Sequence, residues 1–394
     1  RMKITLVCPA SLPATQFGGI MFLGVEIATE LAKKGHNVTI FTTDLDFANN
    51  ASTFNKNLSR KESINDFIIN RTHVWFSYKL FYVNLGMYFQ MKNEKHDIIH
   101  TIGVRSFQSL IAAIISKKNK IPLIISDQGG LTTHPDLEKS SVIKKIMYKI
   151  QNPLIKLIIN QTTKIIVPNE YEKKIFSKYA TNEKIVVIKN GINLNEVYQS
   201  KINFKEKYKI KNNFILFVGR FNKVKGIDVL LQAWALIDKK VENTKLVIMG
   251  VDFGFELEMY KIIDSLKIND TVLVIKNPPR EDVLASYEAC KFLVLPSRWE
   301  LSPLTPLEGF AFKKPTISTT AHGIPYTITN NENSILVEPN NSIQLSKSIL
   351  ELLENEKLRS TYGNAGYDLV QKICNSKKMS ENILKIYEQV LRDD

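Results

Sequence analysis

The sequence predicts an α/β fold built from two doubly wound domains. Short Val/Ile/Leu-rich runs recur along the chain, and most are separated by helix-length segments. That is the pattern of buried parallel strands joined by crossover helices. The runs fall into two sets of six, more than the eight strands a single barrel needs. The sets part near Asn190–Ser200, where Asn190-Gly191 offers a turn and the charge balance changes. A length of 394 residues suits two or three domains.

The first set reads Lys3–Cys8, Asn37–Thr42, Ile98–Thr101, Pro122–Ser126, Lys164–Pro168 and Ile185–Ile188. After its first strand, Gln16-Phe17-Gly18-Gly19-Ile20 leads into a helix that stops before Gly35-His36. The second set reads Phe214–Val218, Lys245–Met249, Thr271–Ile275, Phe292–Leu295, Thr316–Ser318 and Ser334–Val337. The chain then ends in an amphipathic helix with Ile383, Ile386, Tyr387 and Val390 on one face. The expected organisation is therefore a domain over 2–192, a domain over 193–375 and a final helix over 376–394. Open α/β sheets bind ligands beyond the C-terminal strand ends, so motifs at those ends carry the most weight.

Composition narrows the class. The chain is 44% hydrophobic and 23% charged, which is globular and not disordered. No apolar run is long enough for a membrane-spanning helix. Arg1-Met2-Lys3-Ile4-Thr5 opens a strand pattern and not a signal segment. Cys8, Cys290 and Cys374 lie far apart and suit neither a disulfide framework nor a zinc site, so the reducing cytoplasm is the expected compartment. Residues 1–190 hold 26 Lys and Arg against 14 Asp and Glu, whereas the remainder holds 27 against 25. A basic first half suits an anionic partner or, more simply, solubility.

Three motifs follow strand ends. Gly18 and Gly19 let the backbone approach a ligand at a helix N-terminus, but the spacing lacks the dinucleotide fingerprint G-x-G-x-x-G. Gly219-Arg220-Phe221-Asn222-Lys223-Val224-Lys225-Gly226 puts a planar guanidinium and a mobile ammonium in one loop, a pairing suited to a diphosphate. Pro296 to Gly309 contains Glu300 and Glu308 with seven residues between them. Carboxylates accept hydrogen bonds from sugar hydroxyls. Pro303 and Pro306 lack N–H groups, which leaves Leu304 and Thr305 as the candidates for backbone contacts to phosphate. Thr305-Pro306-Leu307-Glu308 also fits a capping box, which would make Glu308 a helix cap.

Other features read as structure. Asp44-Leu45-Asp46 could hold a divalent metal, but nothing nearby completes a ligand set, and it is expected to be a solvated loop. The six histidines show no metal-binding spacing. His100 is expected to pack at a strand end. His134, after Asp127-Gln128-Gly129-Gly130, is nearer a ligand loop. The aromatic residues of 75–89 are expected to bury against the first sheet. The lysines of 141–158, set among Val, Ile, Met and Leu, suit an anionic membrane surface.

Taken together, these motifs resemble those of the family-four retaining glycosyltransferases. The likeness covers almost the whole chain. It comprises the Gly18-Gly19 loop, the Gly35-His36 turn, Asn190-Gly191-Ile192, the Gly219-Arg220 to Lys225-Gly226 block, the Glu300 and Glu308 pair, and His322-Gly323-Ile324-Pro325. The resemblance implies the GT-B architecture, two Rossmann-like domains facing across a cleft, with the last helix returning to the first domain. It implies a nucleoside-diphosphate sugar donor, with Arg220 and Lys225 on the diphosphate, Glu300 on the sugar, Glu308 on the ribose, and Gly18 and Gly19 near the phosphates. It implies transfer with retention, no metal, no cofactor and no protein nucleophile. Many relatives have a histidine where Gln128 stands here, so Asp127, Gln128 and His134 become the acceptor-side candidates. Leu301 stands where relatives often have Gly, and Asn193 where they often have Asp.

The expected function is thus glycosyl transfer to a glycan, lipid-linked or other hydroxyl acceptor, at the inner face of the membrane. The alternatives are an epimerase or hydrolase of the same architecture and a non-catalytic nucleotide-sugar-binding protein. Nucleic acid is not expected as a partner, since no recognition motif accompanies the charge.

Overall fold

The computed structural model describes residues 1–46, 53–132 and 142–393. The chain divides into two compact units, one of Arg1–Lys189 with Ser376–Asp394, the other of Asn190–Asn375. Each is α/β with a largely parallel sheet.

In the first unit the strands are β1 (Lys3–Val7), β2 (Asn37–Thr43), β3 (Lys61–Ile64), β4 (Phe67–Thr72), β5 (Phe76–Tyr78), β6 (Phe81–Val83), β7 (Ile98–Ile102), β8 (Leu123–Ser126), β9 (Lys164–Val167) and β10 (Ile185–Val187). Eight of them form one sheet in the order β10-β9-β8-β7-β1-β2-β4-β3. All pairs in it are parallel except β3 with β4. Alternation sends Ile98 and Ile102 to one apolar layer and Ile99 to the other. The first layer includes Ile27 and Leu31 of the helix Gly19–Lys33, and Met379, Ile383, Tyr387 and Val390 of the helix Ser376–Asp393.

Two hairpins exceed the expected strands. β3 turns into β4 through Asn65 and Asp66, both at positive φ (46° and 68°), the backbone of a tight hairpin turn. β5 and β6 form a separate antiparallel pair. Burial of the aromatics of 75–89 is corrected: Tyr82 is buried, but Trp75, Phe76, Tyr78 and Phe89 are exposed. A three-residue strand in a two-stranded hairpin has a face with no second layer over it.

The second unit has β11 (Asn213–Val218), β12 (Thr244–Gly250), β13 (Val272–Lys276), β14 (Leu293–Val294), β15 (Thr316–Thr319) and β16 (Ser334–Val337). Their order is β13-β12-β11-β14-β15-β16, all parallel. The chain winds outward from β11 in one direction and from β14 in the other. The switch point lies between these two strands, where the connecting helices pass to opposite faces and a crevice opens at the strand ends. The crossing segments meet inside this unit: the Ile192 N–H donates to the Cys374 carbonyl at 3.2 Å. A Cβ on Gly191 would come within 2.1 Å of the Asn375 backbone, so only glycine fits there.

Candidate active site

The switch point of the second unit gathers the loops that follow β11 and β14. They close around a cavity of about 70 Å3 whose lining includes Gly219, Lys225, Ser297, Glu300, Leu304 and Thr305. Four of the sequence candidates, Lys225, Glu300, Leu304 and Thr305, therefore line one cavity.

Local chemistry shapes the first loop. Asn222 accepts a hydrogen bond from the Val224 N–H at 3.0 Å and starts a short turn over Lys223–Lys225. Gly226 ends that turn at φ 74°, and a Cβ there would lie 2.0 Å from the Pro296 carbonyl oxygen. This close approach brings the two loops together. Arg298 ties them further. It donates both NH groups to the Asp228 carboxylate at 2.8 Å and reaches the Lys223 carbonyl at 2.7 Å. The result is a fork-to-fork ion pair that fixes one loop on the other.

Within this frame the Lys225 ammonium donates to Glu300 Oε2 at 2.6 Å, with about a quarter of each side chain exposed. The Ser297 hydroxyl stands 3.5 Å from the same oxygen. Arg220 is exposed, stacks on the Phe253 ring at 4.4 Å and lies within electrostatic reach of Glu300. Two cations and one carboxylate thus meet at the C-terminal end of β11. Lys225 has three N–H donors, so it can hold Glu300 and still offer a bond to an anion. Glu300 also shapes the next loop, because its carbonyl accepts from the Gly323 N–H at 3.0 Å. A Cβ on Gly323 would sit 1.8 Å from the Leu301 carbonyl oxygen, so the His322-Gly323-Ile324-Pro325 turn packs directly on this segment.

Glu308 lies apart from the cavity lining. The capping box is corrected: the helix Thr305–Ala311 has Leu304 at its N-cap and no side-chain cap. Glu308 is buried, and its carboxylate accepts from Arg280 at 2.6 and 3.4 Å. Burial raises its pKa, while Arg280 pulls it down. Arg280 also pairs with Glu196 at 2.8 and 3.2 Å. The sequence reading found neither Arg280 with Glu196 nor Arg298 with Asp228, since partners so far apart in sequence leave no local signature.

The remaining candidates belong to the first unit. Gly18 sits at φ 101° as N-cap of the helix Gly19–Lys33, and a Cβ on Gly19 would meet nothing within 4 Å. This loop follows β1, at the switch point between β1 and β7. Asp127 is buried, and its carboxylate accepts from the N–H groups of Val104 (2.9 Å) and Gly130 (2.8 Å). It thereby pins the loop that carries Gln128, which is half-buried. His134 lies outside the described residues. His100 is fully buried between the Tyr387 hydroxyl (2.5 Å) and the Ser126 hydroxyl (2.7 Å), and burial pushes its pKa down to about 3. Asp44 is also a correction: it is buried and bonded to His73, not a solvated loop residue. Among the described residues no group of three or more His, Cys, Asp or Glu could hold a metal ion.

Comparison with known proteins covers both units. Residues 17–196 match the model of Glycosyltransferase Family 4, and residues 199–369 match Glycosyl transferases group 1. An uncharacterized glycosyltransferase of Methanocaldococcus jannaschii is 29% identical over 76% of this chain and 77% of its own. The N-acetyl-alpha-D-glucosaminyl L-malate synthase of Bacillus anthracis is 24% identical over 100% of this chain and 98% of its own. In fold, the chain resembles Anabaena HepE in complex with UDP-glucose, with a TM-score of 0.75 at 18% identity over 99% of this chain and 100% of that one.

Proposed function

From the premise that this chain is a glycosyltransferase of group 1, its two units matching adjoining family models, we propose that it moves a sugar from a nucleoside-diphosphate sugar to a hydroxyl acceptor, with retention and without a metal ion. The observation that carries this reading is the Lys225–Glu300 pair at 2.6 Å, with Arg220 beside it, at the switch point of the second unit.

In this reading Arg220 and Lys225 bind the donor diphosphate. As the bond from the anomeric carbon to the diphosphate oxygen breaks, negative charge grows on the leaving group, and two fixed cations stabilise it. Glu300 accepts from sugar hydroxyls and holds Lys225 extended. The amides of Leu304 and Thr305 face the phosphates. Glu308 accepts from the ribose hydroxyls through lone pairs left over from Arg280. The acceptor oxygen forms its bond to the anomeric carbon on the face the diphosphate leaves and passes its proton to the departing diphosphate oxygen, so no side chain acts as nucleophile. Gly18 and Gly19 contribute backbone at the donor phosphates, and Asp127 and Gln128 shape the acceptor loop. HepE is described in complex with UDP-glucose, a donor of the proposed class.

The reading includes a membrane surface. The helix Val142–Gln161 exposes Ile143, Ile146, Ile150 and Leu157, with Lys144, Lys145, Lys149 and Lys156 on the same helix. Phe76 and Leu80 are each 61% exposed. Apolar residues flanked by lysines suit an interface with anionic lipid. No described helix is long and apolar enough to cross a membrane.

The test is titration with UDP, GDP, ADP, dTDP and CDP, with EDTA or magnesium, on wild type and on Arg220→Ala and Lys225→Ala. One diphosphate should raise the unfolding midpoint equally in EDTA and magnesium. Each variant should weaken that binding and lower transfer on the order of 10²–10³-fold, the scale for removing a charge partner of the transition state. Wild-type turnover in either variant would sink the assignment. Sedimentation with phosphatidylglycerol and phosphatidylcholine vesicles tests the surface, and equal, negligible binding to both would count against it.

A further inference from the structure

Away from the donor region, a cavity of about 210 Å3 opens beside the C-terminal ends of β2 and β4, with Asp44, Lys56, Arg60, Arg71, His73 and Trp75 in its lining. The two strands are parallel neighbours with Thr43 opposite Thr72, so the residues that follow, Asp44 and His73, leave the sheet side by side. C-terminal strand ends are where sheets of this class present ligand groups.

The polar groups are oriented. Asp44 Oδ1 accepts from the Val74 N–H at 3.2 Å, and Oδ2 lies 2.5 Å from His73 Nδ1. With Nδ1 turned to this carboxylate, Nε2 is the ring nitrogen left for a ligand. His73 meets the Trp75 ring edge-on at 4.7 Å, and the Lys56 ammonium lies over the same ring at 4.8 Å. Trp75 is 72% exposed, a large apolar face left open at the cavity. Buried Arg71 pairs with Glu62 at 2.7 Å and donates to the carbonyls of Ser59 and Leu12, while its Nε has no partner among the described residues. Asp44 and Glu62 are thus engaged, whereas Lys56 and Arg60 form no ion pair among the described residues. The cavity offers an aromatic face, one imidazole nitrogen and two unneutralised cations.

We propose that this cavity is an acceptor subsite and that it takes a sugar carrying a phosphate group. The sugar ring lies on Trp75, a hydroxyl hydrogen-bonds to His73 Nε2, and Lys56 and Arg60 hold the phosphate. This rests on the transferase reading, since only a transferase has an acceptor. The phosphate has two sources, a soluble sugar phosphate or the head of a lipid-linked sugar.

The test is calorimetric titration of the whole chain with glucose 1-phosphate, methyl α-glucoside, and polyprenyl-diphosphate glucose in phosphatidylcholine vesicles, with empty vesicles as the blank. One phosphorylated probe should bind at least ~10-fold tighter than methyl α-glucoside, the factor that a single charge-assisted contact supplies. The double variant Lys56→Gln/Arg60→Gln should lose that margin, and Lys225→Ala should keep it. Binding of glucose 1-phosphate alone identifies a soluble acceptor, and binding of the vesicle probe alone a lipid-linked one. Equal binding of charged and neutral sugars, no binding of either phosphorylated probe, or loss in Lys225→Ala only would overturn the proposal. Nucleoside-diphosphate binding by the double variant reports separately on the transferase reading, because it uses neither Lys56 nor Arg60.

Discussion

Glu172 lies in the first turn of the helix Glu170–Phe176 and is fully buried. Burial and then the nearby Asp127 charge push its pKa up to about 8, against a smaller downward pull from the Gly129 backbone. The folded protein therefore keeps a proton on Glu172 that the unfolded chain loses above its ordinary 4.5. The stability this adds is present below about pH 4.5 and fades as pH rises toward 8, by up to ~1.4 kcal/mol per pH unit. Glu172→Gln mimics the protonated carboxyl, so it should raise the unfolding midpoint at pH 8 and change it little at pH 4.5. An equal gain at both pH values would show that the native carboxyl carries no extra proton. His100 acts in the opposite direction. Its pKa falls from 6.5 to about 3, so the unfolded chain takes up the proton first and stability drops as pH falls below 6.5. Neither environment could be read from sequence: a glutamate two residues into a helix looks like an ordinary first-turn acid until the Asp127 loop is folded over it.

At the scale of elements, most strands of both sheets were readable because parallel strands buried on both faces need apolar runs, such as Ile165–Val167 and Phe214–Val218. The stretch from Lys61 to Val83 was not readable. β3 alternates exposed and half-buried residues at a sheet edge, and β5 and β6 are three residues each, so neither gives a long apolar run. Likewise Lys225 and Glu300 were visible as motif residues, while the Arg298–Asp228 clamp that sets their loops was not. Its partners stand 70 residues apart, and any arginine and any aspartate look alike before folding. The clamp carries its own prediction. Arg298→Lys keeps the charge but loses the fork, so nucleoside-diphosphate affinity should fall on the order of tenfold while Arg220 and Lys225 remain. Unchanged affinity would mean that the Gly226 contact with Pro296 positions the loop unaided.

At the scale of the whole molecule, the chain leaves the first unit at Lys189 and returns at Ser376, so that unit is built from both ends of the sequence. The returning helix is structural. Met379, Ile383, Tyr387 and Val390 are each no more than 3% exposed and lie in one apolar layer with Ile4, Leu6, Ile27 and Leu31. Four buried side chains at about 1.5–3 kcal/mol each contribute roughly 6–12 kcal/mol, comparable with the whole stability of an ordinary domain, about 5–15 kcal/mol. The Tyr387 hydroxyl also satisfies His100 Nδ1, which is fully buried. The second unit has a separate core, which runs from Ile192 to Cys374. Ending the chain after Asn375 should therefore abolish the first unit's calorimetric transition and leave the second unit's in place. Tyr387→Phe should give a milder loss of about 1–3 kcal/mol, confined to the first transition, because it leaves the buried imidazole without its partner. If the shortened chain kept both transitions, the first sheet would be stable without its covering helix. The four buried side chains would then contribute far less than their area implies.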